Sequence, residues 1–474
     1  MNHHSRLLGW GLLSLSLVAS CVAAEPTLTK VFEFSGYENA SQNAGFTEGP
    51  DGKFYGWISH AGQDQKSIVW RIGRDGTGFT VLHTFSGPKA EGEDPTGLVY
   101  GSDGALYGVA QDQKGLGRVF AMAANGENYR ILKQFDLATD KTAAPFGLIE
   151  ASDGRLYGVT GTGSPIGVVY GIGKDGGGFE ILHRFGQTRT DGQFPRGLLL
   201  EARDGFLYGV TASDRSQFLG TVFRVGRNGA GYEILHQFTS DGLGAQPDSG
   251  LVLASDGFLH GQAARGGPNG FGGVFKLRPD GSEFGFSATG TGGAQWYRSV
   301  FESSDGHLYG IQPGGGPQFN GTIFRTKLDG SGSEVLHTFS GAADPPEGVR
   351  PKQFLQATDG FLYCITYRQA SAPIGSLTVF TPFLMRFGPV PLPPSDPADS
   401  ITLVPRIADN GSGGEFRFSF TGVAGRPYKV EVSSTLPPSW DVATTVTPDS
   451  EGKAEYVDPN TAANTSRYFR VVGP

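Results

Sequence analysis

Short hydrophobic runs alternate with glycine-rich polar stretches along most of the chain. One stretch shows the pattern with four successive runs: GLIEA from Gly147, LYGVT from Leu156, GVVYGI from Gly167 and FEILHRF from Phe179. Short runs that are rich in β-branched and aromatic residues are typical of β-strands. The composition agrees, since 75 glycines, 34 phenylalanines and 16 tyrosines suit short strands joined by tight turns. The pattern predicts an all-β protein.

An Asp-Gly pair lies between the first and second run of each group. Asp-Gly is a strong hairpin signal, and a type I′ turn, with positive φ at both central residues, is the expected geometry. Successive pairs are 52, 50, 51, 52, 49 and 54 residues apart. A period near fifty indicates a propeller, solenoid or array, and four antiparallel strands per period indicate a propeller blade. The pairs begin at Asp51, Asp103, Asp153, Asp204, Asp256, Asp305 and Asp359.

The two ends of the repeat region are each incomplete. Residues 28–34 (LTKVFEF) look like the fourth run of a group, but no inner runs precede them. The last group, after Asp359, offers no fourth run before a proline-rich stretch. We therefore predict that residues 28–34 supply the outer strand of the last blade, which closes the ring and leaves no exposed sheet edge. The predicted fold of residues 25–388 is a seven-bladed β-propeller.

The motif GLxxxSDGxLYGxT, followed by GxVFxxxxDGxxxxxLHxF, resembles the GloVer tandem repeat of exported bacterial proteins. The resemblance covers residues 28–388. It implies a propeller-type fold and export, and it implies no activity and no ligand residue. Members often carry a C-terminal sorting anchor, which the ending RYFRVVGP does not resemble. We therefore expect retention at the cell surface only if Cys21 is lipidated.

Two further segments follow the repeat region. Prolines dominate residues 389–399, which predicts a stiff, extended linker. Residues 400–474 contain short alternating runs such as EFRFSFTG and RPYKVEVSS, a pattern typical of a small β-sandwich. This segment is similar to immunoglobulin-like or fibronectin type III-like modules, and we expect it to act as a spacer or adhesion module.

The amino-terminal segment predicts export. Arg6, the apolar residues 7–18 and the small residues after them are typical of a secretory signal. Two processing sites remain open. Cleavage before Glu25 would remove residues 1–24, whereas the lipobox-like sequence VASC would remove residues 1–20 and leave Cys21 lipidated. The expected location is secreted, periplasmic or extracellular, with a lipid anchor in the second case. No other apolar run approaches the ~20 residues of a transmembrane span.

Charge and cysteine content narrow the function. The formal net charge of −8 argues against nucleic-acid binding, which requires a basic surface. The only cysteines are Cys21 and Cys364, so no disulfide framework supports the fold.

The histidines have structural explanations. His260 replaces the tyrosine of the other repeats, and we expect it to be packed with a ring nitrogen bonded locally. Four other histidines lie one per blade on predicted outer strands, too far apart to share a metal ion: His83, His183, His236 and His337. We predict no metal and no cofactor.

Candidate ligand residues lie in the loops opposite the Asp-Gly turns, where the repeat breaks down. We call this side of the ring the mouth face. Seven residues just before the inner strands share one register, and three of them are basic: Arg196, Arg298 and Lys352. Basic residues beside aromatic rings suit an anionic or sugar-like ligand, although they are equally explained as solvated loop charges. The other candidates are Trp296, Tyr297, Arg350, Tyr367, Arg368 and His60.

Three functions remain open. The leading hypothesis is an exported binding or interaction module for an acidic glycan or a cell-surface partner. The second is a polysaccharide lyase, in which the mouth arginines would neutralise a uronate and His60, Tyr297 or Tyr367 would move protons. The third is a structural envelope protein. No catalytic triad pattern, phosphate-binding loop, dinucleotide fingerprint or HExxH motif occurs, so the sequence leaves enzymatic activity undecided.

Overall fold

The structure is a computed structural model in which all regular elements of the described chain are β-strands, numbered β1 to β35. No helix able to cross a membrane is found among these residues. The described residues are 27–37, 44–61, 66–85, 94–111, 116–162, 167–188, 191–214, 219–239, 242, 244–247, 249–267, 270–288, 300–303, 305–341, 347–370, 379–388, 404–408, 415–421, 428–433, 441–447, 453–457 and 468–472.

Seven antiparallel sheets follow one another along the chain and form the seven blades of a β-propeller. We number the blades in the order of their Asp-Gly pairs. Blade 1 consists of β2 (Ala44–Glu48), β3 (Lys53–Ala61), β4 (Lys66–Gly73) and β5 (Thr80–Thr84). Blade 2 consists of β6 (Asp94–Tyr100), β7 (Ala105–Gln111), β8 (Gly117–Ala123) and β9 (Arg130–Gln134). Blade 3 consists of β10 (Ala143–Glu150), β11 (Leu156–Thr162), β12 (Val168–Ile172) and β13 (Glu180–Arg184).

The remaining blades repeat this order, with small variations. Blade 4 consists of β14 (Gly192–Glu201), β15 (Phe206–Asp214), β16 (Thr221–Gly226) and β17 (Glu233–Gln237). Blade 5 consists of β18 (Ala245–Pro247), β19 (Val252–Leu253), β20 (Leu259–Arg265), β21 (Gly273–Leu277) and β22 (Gly285–Ala288). Blade 6 consists of β23 (Val300–Glu302), β24 (His307–Gln312), β25 (Thr322–Lys327) and β26 (Glu334–Thr338). Blade 7 consists of β27 (Val349–Gln356), β28 (Leu362–Ala370), β29 (Val379–Gly388) and β1 (Thr27–Glu33).

The ring closes through the amino-terminal strand, as the sequence predicted. Strand β1 pairs antiparallel with β29, with Thr27 opposite Gly388. Blade 7 also bonds to blade 1 directly, because Gln353 Nε2 donates a hydrogen bond of 2.7 Å to the carbonyl oxygen of Phe46. The closing strand therefore joins the first and last parts of the repeat region.

The repeated Asp-Gly hairpins are present, but their turn differs from the predicted type I′. In blade 3, Gly154 has φ of 78° and donates its N–H to Ala151 O, whereas Asp153 does not have positive φ. The Ala151 N–H bonds to Arg155 O, which is the pattern of a type I turn followed by a glycine bulge. The Asp carboxylate explains the preference, since Asp153 Oδ1 accepts the N–H of Arg155 at 3.0 Å.

The repeated tyrosines lie in the core between blades. Tyr107 is 1% exposed and packs with Leu156, Val168 and Tyr170 of the next blade. Its hydroxyl donates to Asp103 Oδ2 at 2.7 Å, so the polar end is satisfied within its own hairpin. The same Tyr-to-Asp bond recurs in five other blades, at Tyr55, Tyr157, Tyr208, Tyr309 and Tyr363.

The tail after the propeller contains two three-stranded antiparallel sheets. Their packing as a β-sandwich stays a prediction, and the linker at residues 389–399 lies outside the described residues. The first sheet consists of β30 (Val404–Ala408), β31 (Glu415–Thr421) and β34 (Lys453–Val457). The second consists of β32 (Tyr428–Ser433), β33 (Asp441–Val446) and β35 (Tyr468–Val472).

Candidate functional site

The face of the ring that carries the Asp-Gly turns repeats its side-chain contacts from blade to blade. At four junctions between blades, the residue before Asp-Gly donates its backbone N–H to a glutamate that ends the first strand of the next blade. Lys174 completes one such contact, with Nζ 2.6 Å from Glu150 Oε1 and 3.0 Å from Ser102 Oγ. Burial acts to raise the pKa of Glu150, but the hydrogen bonds from Lys174 and Ser102 outweigh it and lower this pKa. The equivalent donor and acceptor pairs are Ser102–Glu150, Ser152–Glu201, Ser255–Glu302 and Thr358–Glu48.

His260 belongs to this structural set. It is 1% exposed, and its Nε2 lies 3.2 Å from each carboxylate oxygen of Asp256. The imidazole thus takes the place of the tyrosine hydroxyl, and the predicted local bond is confirmed.

Histidines of the outer strands stack on aromatic rings of the next blade. His183 stacks on Tyr232 with ring centroids 3.4 Å apart, and both side chains bond to Asp191, which is 4% exposed. Burial acts to raise the pKa of Asp191, but the bonds from His183 and Tyr232 lower it overall. The sequence signal for this role is an acidic residue a few positions after LHxF. Similar ring contacts join His83 to Tyr129 and His236 to Phe284.

His337 makes the corresponding contact in blade 6, with Nε2 3.7 Å from Glu347 Oε2. His183 and His337 therefore contact acidic residues in the connections that lead into the next blade on the mouth face. Within the described ranges, no group of three or more His, Cys, Asp or Glu side chains is arranged to hold a metal ion.

Two of the predicted basic residues lie at one register position in the first strands of different blades. Arg196 lies opposite Val210 in blade 4, and Lys352 lies opposite Ile365 in blade 7. Both belong to strands rather than to the loops before them. Arg196 is half-buried and Lys352 is 8% exposed. Lys352 is therefore not the solvated loop charge that the sequence also allowed.

The other candidates are either buried, exposed or outside the described residues. Tyr367 is fully buried in β28, so its side chain is not available to a ligand. Arg368 is exposed, but its guanidinium lies 3.5 Å from Glu33 and over the ring of Phe383, where it supports ring closure. Arg350 is exposed on the mouth face. Outside the described residues lie Cys21, Trp296, Tyr297, Arg298 and the side chain of His60.

A strained backbone conformation recurs where the first strands begin at the mouth. Arg350 has φ of 52° although it is not glycine and precedes a proline, a combination that both local steric rules disfavour. Its N–H donates to Asn320 O of blade 6 at 2.6 Å, and Pro351 packs on Gly321 at the start of β25. The strain is thus offset by contacts between blades. The residues in this conformation are Ala144, Phe194, Gln246 and Arg350, with φ between 52° and 57°.

A hydrogen-bonded loop of blade 6 exposes an aromatic side chain one residue from Asn320, whose carbonyl oxygen bonds to the Arg350 N–H. Phe319 is 61% exposed and has φ of 57°. Its N–H donates to Gly316 O at 3.1 Å, and the neighbouring Asn320 donates its side-chain amide to Ser340 O at 3.0 Å. Sequence reasoning did not single out Phe319. The available sequence signal was that Gln-Phe-x-Gly occurs twice in the sequence, at residues 217–220 and 318–321.

Comparison with family models supports the repeat. The model of the Gloeobacter/Verrucomicrobia repeat matches residues 18–213 and 166–380. No curated protein matches the chain.

Among solved structures, the chain is similar to YCF48 from Cyanidioschyzon merolae, with 10% identity, coverage of 76% of this chain and 99% of that one, and a TM-score of 0.49. A structure titled YCF48 bound to D1 peptide shows 12% identity, coverage of 76% and 95%, and a TM-score of 0.45. A protein of unknown function from Dyadobacter fermentans shows 10% identity, coverage of 77% and 100%, and a TM-score of 0.42. Such low identities carry no information about a ligand.

Proposed function

The chain belongs to the Gloeobacter/Verrucomicrobia repeat family, and from that premise we propose that it is an exported interaction module whose mouth face binds its partner. The observation that carries this proposal is the contrast between the two faces of the ring. The Asp-Gly face repeats the same side-chain contacts, such as Ser102 with Glu150 and Ser152 with Glu201. The mouth face repeats a backbone conformation but places alanine, phenylalanine, glutamine and arginine on it.

This contrast distinguishes residues that pack the blades together from residues that are available to bind a partner. A contact that recurs at four junctions between blades serves packing, which these junctions need equally. The four side chains also differ in exposure: Ala144 is buried, Phe194 and Gln246 are half-buried, and Arg350 is exposed. They therefore share no single packing role, and rigid scaffolds commonly place binding residues in this way. The strain at these positions, about 1–3 kcal/mol for each residue, is offset by the contact of the following proline with the preceding blade, so the backbone belongs to the architecture and only the side chains differ.

The charges favour an anionic partner. The protein carries a formal net charge of −8, yet Arg350 is exposed on the mouth face and its guanidinium forms no ion pair within the described chain. Arg196 and Lys352 lie deeper, at one register position on the first strands of blades 4 and 7. Cations gathered at a mouth raise the local concentration of anionic ligands. We propose an acidic glycan or an acidic surface partner as the ligand.

The way the chain enters and leaves the propeller fits an anchored module. Thr27 and Gly388 are paired neighbours at the Asp-Gly face, since Gly388 ends the strand beside the Asp359 hairpin. An anchor on the amino-terminal side, such as a lipid on Cys21, and a β-sandwich spacer formed by residues 400–474 would then both attach opposite the mouth. In this arrangement the mouth face stays open to its partner.

Burial of Tyr367 favours binding over the lyase mechanism. A lyase needs a proton-transfer group that reaches its substrate, and this candidate is fully buried.

A paired substitution tests the proposal. Arg350→Ala removes an exposed cation from the mouth face of blade 7, and Lys327→Ala removes an exposed cation from the Asp-Gly face of blade 6. We expect Arg350→Ala to weaken binding of the full chain to immobilised polygalacturonate or polyglutamate by about 1–3 kcal/mol, the scale of a lost charge-assisted hydrogen bond. Lys327→Ala should change binding less than twofold. Equal losses in both variants would mean nonspecific charge attraction and would contradict a mouth-face site.

A further inference from the structure

We infer that Phe319 and Arg350 form a subsite for one uronic-acid unit of an acidic polysaccharide. This inference rests on the proposed function of the mouth face and names its ligand. The two residues are neighbours across the junction of blades 6 and 7, because the Arg350 N–H bonds to the carbonyl oxygen of Asn320, the residue after Phe319. The side chains of Phe319 and Arg350 are both exposed.

The loop that carries Phe319 is held by its own hydrogen bonds. Gly315 N–H donates to Gln312 O at 2.9 Å, and Gly321 N–H donates to Gly315 O at 2.9 Å. Asn320 Nδ2 adds bonds to Ser340 O and to Gln318 Oε1. A flat apolar side chain is therefore presented to solvent from a hydrogen-bonded backbone in which Phe319 adopts positive φ. Because the backbone that carries the ring is already ordered, stacking of a ligand on it does not require the loop itself to be ordered.

The surrounding groups match a charged sugar. A uronic acid has an apolar face of C–H groups, a rim of hydroxyls and one carboxylate. Phe319 offers the apolar contact, and Gln318, which is exposed, and Asn320, which is half-buried, offer amide groups. Arg350 offers a guanidinium, the group that pairs with a carboxylate through two parallel hydrogen bonds.

The isolation of Phe319 favours a sugar over a protein partner. Protein interfaces have a contiguous, mostly apolar centre made by several residues. In the described chain, the other large apolar side chains with high exposure are Ile131, Leu137 and Leu198, and they belong to blades 2 and 4 and the connection after blade 2. None of them adjoins the blade 6 loop in the sheet order. A single ring flanked by amides and one cation is sufficient for a sugar unit.

Three polymers separate the possible ligands. Polygalacturonate carries sugar rings and carboxylates, polyglutamate carries carboxylates without sugar rings, and dextran carries sugar rings without charge. Binding of the full chain to each polymer is measured for the wild type, for Phe319→Ala and for Arg350→Ala. Ile131→Ala serves as the control for loss of an exposed apolar side chain, and Lys327→Ala serves as the control for loss of an exposed cation.

We expect the wild type to bind polygalacturonate at least tenfold more tightly than polyglutamate or dextran. Phe319→Ala should weaken polygalacturonate binding about tenfold or more and leave polyglutamate binding within twofold, whereas Arg350→Ala should weaken both. The control variants should match the wild type, and thermal unfolding should show that all variants are folded.

Two failures have different meanings. If polyglutamate binds as tightly as polygalacturonate and Phe319→Ala has no effect, the sugar subsite is wrong, while a loss in Arg350→Ala alone still supports an anionic partner at the mouth. If neither mouth-face substitution changes binding to any polymer, or if none of the three polymers binds, the sugar subsite is overturned. If a polymer binds but neither substitution changes its binding, the polymer is bound through another surface, and the proposed function of the mouth face is also wrong.

Discussion

At the residue scale, the environment of a repeated position can be predicted from the equivalent residues in the other repeats. The sequence predicted that His260 would be packed with a local bond, because six other copies carry tyrosine there, and the bond to Asp256 confirms it. Burial of individual mouth candidates could not be predicted in this way. Tyr367 and Lys352 are covered by neighbouring strands and blades. The residues next to them in the sequence do not reveal that packing.

The Asp256 contact gives a prediction for His260. His260→Tyr should unfold at nearly the wild-type urea concentration at pH 7, because tyrosine forms the equivalent bond in other blades. His260→Leu should lower the free energy of unfolding by about 1–3 kcal/mol, since it removes the side-chain donor to a partly buried carboxylate. Equal stabilities of the leucine and tyrosine variants would contradict this account.

The same contact has a pH dependence. Burial acts to raise the pKa of Asp256, but the hydrogen bond and charge of His260 outweigh it, so the pKa lies below the ordinary 3.8. A depressed carboxylate pKa stabilises the fold above the unfolded value, and this contribution is lost as the pH falls through the folded value. Acidification below pH 3.8 should therefore reduce the stability advantage of the wild type over His260→Leu.

At the element scale, the sequence predicted the strands but not how the first and third strands of adjacent blades meet. The glycine that opens GxVF was visible as part of the repeat, and so were the prolines of the first strands. Their contact across blades, such as Pro351 on Gly321, depends on three-dimensional packing. The turn type was also missed. An Asp-Gly pair fits two hairpin geometries, and the tyrosine and backbone bonds to the Asp carboxylate select the bulged one.

Two glycine substitutions test this contact between blades. Gly306 and Gly321 both have positive φ, at 74° and 114°. A Cβ at Gly306 would meet no atom within 4 Å, whereas a Cβ at Gly321 would collide with Pro351. Gly306→Ala should cost about 1 kcal/mol from backbone strain alone. Gly321→Ala should cost about 2 kcal/mol more, because overpacking adds to the strain. Chemical denaturation measures both, and equal costs would mean that the Pro351 contact contributes nothing.

At the scale of the whole molecule, a fourth run without inner runs at the start of the repeat region and a missing fourth run at its end were enough to predict seven blades and their closure. The pairing of β1 with β29 confirms this prediction. The ligand could not be predicted to the same degree. Phe319 and Arg350 lie 31 positions apart in the sequence and meet only because blades 6 and 7 are adjacent in the ring.

Removal of the closing strand should open the ring. A chain that begins at Gly36 lacks β1 and the fully buried Phe34, and it leaves β29 as an unpaired edge. Its melting temperature should fall by more than about 5 °C relative to a chain that begins at Glu25, which for a propeller of this size corresponds to a loss of about 4 kcal/mol or more. Identical melting temperatures would remove the closure argument.

The central claim is that the mouth face recognises a partner and the Asp-Gly face does not. Hydrogen exchange of the full chain, measured with and without saturating polygalacturonate, tests this most directly. The account predicts slower exchange in residues 314–321 and 348–350, and unchanged exchange in the Asp-Gly turns at residues 151–155 and 202–206. Slower exchange confined to the Asp-Gly turns, or no change in either set of segments, would contradict it.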